Sequence, residues 1–377
     1  MAGTHIPLLR HAWDQRVIIR RVEIRAGSQG DAVGSVSGDI SEVTTSPSWA
    51  GPTPAVSVTV STWGRAEFLP ELISCLERQT MPLADFEVVI VDNGSSDTTW
   101  AVLSAVAGAT SLRLCAGRLD ANRGSGGGRN AAVSLGRSPI IAFTDDDCLA
   151  TPGWIAEVRR AFDTDADFVQ GRTLPDPTAE RDAGPWDHSV WVTGPTALFE
   201  TCNIAYRRRM FDLVGGFDEV DPFTTRKRRL PFGEDAVLGA RIVRAGGAPS
   251  YAEDALVYHR YLPSSYSSYL KRRRQVGEFP GLARRSHLVR NVLWHRVFLS
   301  RRTAAFDLAV ACGAVAALSR RAWPLIGVVP WLRECSAEAA RRPGRTTPYR
   351  VSQVALGDAV GLAGLLLGSA RHGRLVV

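Results

Sequence analysis

No C-x-x-C pair occurs in this chain. Its six cysteines, at 75, 115, 148, 202, 312 and 335, are scattered, which argues against structural zinc and against a disulfide framework. A reducing cytosol suits that usage best. No stretch reads as the roughly 20 unbroken apolar residues that a spanning helix needs. The N-terminal segment also lacks the apolar core of a secretory signal. Zinc-finger spacing and the aromatic-plus-basic pattern of RNA binders are both missing, so nucleic acid is not the expected partner. No internal repeat is evident, and no Lys follows the one Gly-rich loop, which removes the P-loop pattern.

What is present is an ordinary globular mix: 377 residues, 45% hydrophobic and 22% charged. That length holds one large domain with appendages, or two domains. A net charge of +7 favours an anionic partner such as a nucleotide or a membrane surface. The excess is uneven, because Arg accumulates after Lys271 while the acidic motifs lie upstream.

Residues 1–53 read as an extension, with one strand expected at 17–24 and a Gly/Ser/Thr/Pro-rich linker running to Pro54. Order begins at Val56-Ser57-Val58-Thr59-Val60, a β-branched strand. Phe68, Leu69, Leu72, Ile73 and Leu76 then recur at helical spacing. A second buried strand at 86–91 ends in Asp92-Asn93-Gly94, a weaker third lies at 112–115, and a Gly-rich loop at 122–128 runs into a helix. The next strand, 139–143, ends in Asp145-Asp146-Asp147. Strand and helix alternating in this way predict a doubly wound α/β sheet. A mixed region at 151–262 follows, with a Pro- and Trp-bearing loop from 175 to 195. The tail, 263–377, is basic and helical.

The acidic run carries the most chemistry. In open α/β sheets, ligands collect beyond the carboxyl ends of strands. Three adjacent carboxylates there repel one another unless a cation or a set of donors compensates them. Mg²⁺ or Mn²⁺, bridging carboxylates to a phosphate, would do so; a solvated acidic loop would look the same. Asp92 could accept from a nucleobase or ribose, and equally could form an ordinary Asp-Asn-Gly turn. The helix start at Gly124 offers backbone N–H groups to a diphosphate. Glu234-Asp235 opens a helix, where carboxylates ordinarily serve the helix dipole, yet a carboxylate facing a sugar donor is also what deprotonating an acceptor requires. His259 suits either a metal ligand or a satisfied core position.

Taken in order, these segments resemble a family-two glycosyltransferase with the GT-A fold, over about residues 55–262. The resemblance rests on Val56 to Thr62 with Arg65, on Ser74 to Thr80, on Val89 to Asp97, on Asn122-Arg123-Gly124 through Arg129-Asn130, on Asp145 to Asp147 in the DxD position, and on Gly215 to Glu219 and Gly233-Glu234-Asp235. Ser61 stands where the family usually has Pro, and Trp63-Gly64 replace a Tyr-Asn-like pair. The resemblance implies a GT-A-like doubly wound mixed sheet with a catalytic domain at 54–262, of which 54–150 is the nucleotide-binding half and 151–262 the acceptor half. It does not cover the N-terminal extension (1–53) or the basic helical C-terminal region (263–377), whose Arg-flanked apolar stretches suit either the inner membrane surface or a soluble helical bundle packed on the catalytic domain. The resemblance further implies Asp235 as catalytic base, and donor contacts from Ser61, Arg65, Asp92, Asn122, Gly124, Arg129, Asp145 and Asp146. Asn203, Glu234 and Trp186 fall on the acceptor side, and Asp147, Asp145 and His259 are the expected ligands of Mg²⁺ or Mn²⁺. The expected activity is inverting, metal-assisted transfer from a nucleotide-diphosphate sugar to a sugar, lipid-linked or small-metabolite acceptor. It would take place in the cytoplasm or peripherally on the inner face of the membrane. The alternatives are a sugar-phosphate nucleotidyltransferase, which would want a Gly-rich loop after the first strand, and a non-catalytic membrane-associated scaffold.

Overall fold

A computed structural model describes residues 40–219, 232–340 and 347–377. The strand expected at 17–24 and the basic run 226–229 lie outside the described residues. Those described fall into two compact units: 40–174 with 191–260, and 175–190 with 261–377.

The first unit is built on a nine-stranded sheet in the order β1-β4-β3-β2-β5-β8-β7-β9-β6. The strands are β1 (Ile40–Thr45), β2 (Val56–Thr62), β3 (Phe86–Asp92), β4 (Leu114–Leu119), β5 (Ile140–Thr144), β6 (Cys148–Ala150), β7 (Phe168–Pro175), β8 (Asn203–Arg207) and β9 (Pro249–His259). β4, β3, β2 and β5 run parallel, whereas β1, β8 and β7 join antiparallel and β6 pairs antiparallel with β9. Helices α1 (Leu69–Glu77), α2 (Thr99–Ala109), α3 (Gly124–Leu135), α4 (Trp154–Ala161), α5 (Arg208–Leu213) and α6 (Glu234–Arg244) connect them. β2 and β3 are buried almost throughout, the pattern of central parallel strands covered on both faces. A polar pin runs through this core. Glu87, fully buried, accepts from Ser57 Oγ at 2.6 Å and from Arg137 Nε at 2.9 Å, which locks the α3–β5 connection to the sheet.

Two expectations change here. The segment from 40 to 54 is not a loose linker: β1 pairs with β4, Ser46 Oγ donates to the Leu112 carbonyl at 2.7 Å, and Arg113 Nη2 donates to the Pro52 carbonyl at 2.7 Å. Composition signalled a linker because the partners that hold it lie some 60 residues away. The third strand sits at 114–119 rather than 112–115, since Ala116 and Gly117 carry little apolar signal. Gly117 is small for a packing reason: a Cβ there would lie 2.7 Å from Leu135 Cδ1.

The second unit comprises α7 (Tyr266–Gln275), α8 (Phe279–Arg285), α9 (His287–Val292), α10 (Arg301–Ser319), α11 (Val329–Ala340) and α12 (Pro348–His372). A stripe of small residues on α12 permits its close approach to α7 and the turn after it. A Cβ at Gly357 would meet Tyr269 Oη at 2.4 Å, at Gly364 the Arg274 carbonyl at 2.8 Å, and at Gly368 the Gly277 carbonyl oxygen at 1.8 Å. Asp358, buried between these glycines, accepts from Arg273 Nη2 (3.1 Å), Arg302 Nη2 (2.9 Å) and Trp331 Nε1 (3.0 Å), so one carboxylate ties four helices. α10 and α12, at 19 and 25 residues, are long and apolar enough to cross a membrane by length and composition. That corrects the expectation that nothing reaches such a span. Asp307 and Asp358 break the apolar runs in the sequence, but the structure shields both carboxylates.

Candidate active site

The acidic turn after β5 is built on donors from β2 and from the loop that follows it. Thr62, the last residue of β2, donates its hydroxyl to Asp146 Oδ2 at 2.6 Å. Arg65 Nη1 reaches both Asp146 Oδ1 (2.6 Å) and Asp147 Oδ2 (2.8 Å). Asp146 and Asp147 are buried, and loss of solvation pushes Asp146 up to about 6 against the pull of Arg65 and Thr62. Burial likewise raises Asp147, while His259 and Arg65 oppose the shift. Thr62 also pairs in register with Asp92 at the end of β3. Asp92 is fully buried; its Oδ1 accepts from Ser95 N–H at 3.0 Å. Its Oδ2 has no hydrogen-bond partner and lies 3.7 Å from Arg118 Nε.

The helix start at Gly124 is held from below by two asparagines. Asn93 Oδ1 accepts from Arg123 N–H at 3.0 Å and its Nδ2 donates to the Gly124 carbonyl at 2.8 Å, while Asn122 Oδ1 accepts from Gly124 N–H at 2.8 Å. Four glycines in the first turns of α3 are poor helix formers, yet close packing demands them. A Cβ at Gly128 would fall 2.0 Å from Ser61 Oγ, and one at Gly126 3.0 Å from Phe217 Cβ. Ser61 thus lies directly under the helix start.

Arg129, on the same helix, joins the two halves of the site. Its Nη2 donates to Asp145 Oδ1 at 2.8 Å, and its Nη1 lies 3.7 Å from Glu234 Oε1 and 3.6 Å from Asp235 Oδ1. Asp235 stands in the first turn of α6, entered through Gly233 in the left-handed region (φ 69°). Asp235 Oδ2 accepts from Thr201 N–H (3.1 Å) and Thr201 Oγ1 (3.0 Å), whereas Oδ1 makes no hydrogen bond. Loss of solvation, with Glu234 alongside, pushes Asp235 up to about 7 despite Arg129 and Thr201. Its side chain keeps 23% of its surface exposed, while Oδ1 itself is shielded from solvent beside Arg129. Glu234 itself accepts from Ser125 Oγ.

A metal fit can be judged from the donors. Asp147 Oδ1, buried without a hydrogen bond, is 3.5 Å from His259 Nε2. His259 Nδ1 is 2.8 Å from the Arg260 carbonyl. A carbonyl only accepts, so that nitrogen donates to it, which turns Nε2 toward Asp147. A carboxylate oxygen and a ring nitrogen so placed can share a proton or hold a cation between them. Cys148 Sγ completes a set of ligand atoms within 4.8 Å of one another, but burial raises its thiol well above the usual range. A protonated thiol is a poor ligand for a hard ion. Carboxylate and imidazole suit Mg²⁺ or Mn²⁺, so the residues fit. Asp145, expected among the ligands, is instead paired with Arg129.

Two acceptor-side expectations are corrected. Asn203 is buried, with Oδ1 accepting from Trp154 Nε1 (2.9 Å) and Nδ2 donating to the Arg172 and Ala255 carbonyls (2.8 Å each). Every strong group it has is spent on the scaffold. Trp186 belongs to the helical unit, in a core cluster with Tyr269, Cys335, Ala339 and Val354. A lone tryptophan in a loop gives no indication of which unit claims it. Sequence reasoning missed Thr62 and Thr201; Thr62 at least had a signal, as the polar residue closing the first strand.

Residues 57–217 match the family described as Glycosyl transferase family 2. The chain is 30% identical over 231 residues to Validoxylamine A glucosyltransferase of Streptomyces hygroscopicus subsp. jinggangensis, covering 52% of this chain and 53% of that protein. It is 26% identical over 228 residues to glycosyltransferase AglE of Haloferax volcanii, covering 60% and 72%. It therefore spans only about half the length of the first of these relatives. Among solved structures, a mannosyltransferase from Pyrobaculum calidifontis in complex with GDP-Man and Mn²⁺ aligns with a TM-score of 0.51 at 18% identity, over 85% of this chain and 87% of that one. At that identity the likeness is one of fold. With its motifs falling in order along a mixed α/β sheet, the chain is similar over residues 57–217 to glycosyl transferase family 2 and shares the fold of the GT-A-type glycosyltransferases.

Proposed function

We propose that the protein moves a sugar from a nucleoside-diphosphate donor to an acceptor hydroxyl, with inversion at the anomeric carbon. The observation that carries this reading is Arg129, whose one guanidinium reaches Asp145 of the acidic turn and Asp235 at the head of α6. A carboxylate titrating near neutrality thereby stands within one side chain of the expected donor site. The relatives are named as glycosyltransferases, and the Pyrobaculum mannosyltransferase binds GDP-Man and Mn²⁺. A nucleotide sugar and a divalent cation are therefore the classes to test.

In this reading Asp92, whose Oδ2 lies shielded 3.7 Å from Arg118, serves the base or ribose, and Ser61 and Arg65 are further donor contacts. The start of α3, whose Arg123 and Gly124 N–H groups are taken by Asn93 and Asn122, would receive the diphosphate on the N–H groups that follow in its first turn. Asp145 and Asp146 line the donor side with Arg129. Asp147 and His259 would hold Mg²⁺ or Mn²⁺, which when bound offsets the charge of the departing diphosphate. Asp235, as the carboxylate, takes the acceptor proton while the acceptor oxygen attacks the face opposite the leaving group. One C–O bond forms, the anomeric bond to the diphosphate breaks, and the nucleoside diphosphate leaves with its electron pair. Glu234, hydrogen-bonded to Ser125 and repelling Asp235, keeps the base from becoming too acidic.

The test is transfer or donor hydrolysis by the purified chain across a panel of nucleotide sugars, with Asp235→Asn alongside. General-base removal is expected to lower turnover by about 10²–10⁴-fold with donor binding intact. Turnover near the wild-type rate in Asp235→Asn would exclude this base. Chelation is expected to abolish activity and Mn²⁺ or Mg²⁺ to restore it.

A further inference from the structure

The helical unit carries a surface that sugar transfer does not explain. On α10, Leu308, Ala311, Val315 and Leu318 face outward at helical spacing, and Leu318 is 87% exposed. The chain then turns through a 3-10 segment, Trp323–Val328, which folds back on α10: a Cβ at Gly327 would lie 2.4 Å from Cys312 Sγ. Trp323 and Ile326 on this return are 69% and 76% exposed. The result is an apolar hairpin face, larger than the scattered exposure normal for a soluble surface.

We propose that this hairpin, α10 with the turn after it, docks shallowly on an anionic lipid surface. Residues 301–332 contain four arginines and one acidic residue. Of these, Arg302 is committed inward to Asp358, and both oxygens of Asp307 are shielded from solvent. The exposed charge of the hairpin is thus of one sign, with Arg301, Arg320 and Arg321 rimming an uncharged face. Apolar insertion plus basic attraction is the combination that holds an interfacial segment, and tryptophan suits the headgroup level. A second copy of the chain would bring two arginine rims together, which costs energy that an anionic headgroup layer instead repays. Full crossing is disfavoured, because Arg320 and Arg321 sit at the hairpin tip and would have to enter hydrocarbon.

The experiment is co-sedimentation of the full chain with phosphatidylcholine vesicles and with vesicles containing phosphatidylglycerol, at low and high salt. The protein is expected to pellet with the anionic vesicles at least about tenfold more strongly, and salt is expected to weaken it. Leu318→Glu with Ile326→Glu should remove the binding, and Arg320→Glu with Arg321→Glu should remove the preference for anionic lipid. All four positions are exposed, so both variants should melt with the wild type. Equal binding to both vesicle types, or binding unaffected by the first pair, overturns the proposal. So does failure to bind vesicles together with self-association that the first pair dissolves, which would make the face a contact between copies. None of these readouts depends on the sugar-transfer reading.

Discussion

Asp235 illustrates how little separates a structural from a reactive carboxylate. Both Thr201 hydrogen bonds fall on one oxygen, leaving the other aimed past Arg129. With Asp235 as the proposed base, its pKa of about 7 predicts that kcat/KM is flat above that pH and falls about tenfold per unit below it. The same shift has a stability consequence. The pKa is higher in the fold than in the unfolded chain, so the protonated form favours folding, and ionised Asp235 costs stability increasingly as pH rises from near 4 to about 7. Asp235→Asn should therefore melt above the wild type at pH 8, by on the order of 1–3 kcal/mol, and converge with it near pH 4. Calorimetry at the two pH values checks this. Asn203 should behave in the opposite way. Asn203→Ala leaves Trp154 Nε1 and two carbonyls unpaired in the core, so about 3 kcal/mol of stability is lost, measured by denaturant melt, without a specific effect on the pH profile. Sequence placed both residues near the site, but only the contacts tell which one is scaffold.

At the scale of elements, the strands could be anticipated better than the helices that cover them. β2 declares itself by valines alternating with Ser and Thr, and β3 by the apolar run Val88 to Val91, each ending in a polar residue. α3 does so only in part, because its glycines read as a loop running into a helix, whereas the structure makes them the first turns of the helix itself. The glycines of α12 work the same way. In an isolated helix, Gly368→Ala would gain about 1 kcal/mol of propensity. Here its Cβ would lie 1.8 Å from the Gly277 carbonyl oxygen, so overpacking decides the sign and a net loss of about 1–3 kcal/mol is expected. A thermal melt of the variant distinguishes the two outcomes.

For the whole molecule, the division into two units rests on different kinds of adhesive. The sheet unit has a hydrophobic core with polar pins such as Glu87. The helical unit is organised around Asp358, on which Arg273, Arg302 and Trp331 converge. Asp358→Asn keeps the size but leaves Arg273 without its buried counter-charge and Arg302 with Glu338 alone at 3.6 Å, and a loss of about 3–5 kcal/mol follows. If the units unfold separately, calorimetry of this variant should show the lower transition move and the sheet transition stay.

The sequence by itself determined the order of strands and helices from β2 to β5, the acidic turn after a buried strand, and the carboxylate that opens α6. These are local patterns, in which the chemistry and its structural setting lie within a few neighbouring residues. Tertiary structure alone decided that Arg129 spans Asp145 and Asp235, that His259 faces Asp147, that Trp186 packs in the helical unit, and that Asp307 and Asp358 turn inward. Each of those depends on segments between 16 and more than 100 residues apart meeting, and a one-dimensional pattern of residue types carries no record of which distant groups will come to share a buried space.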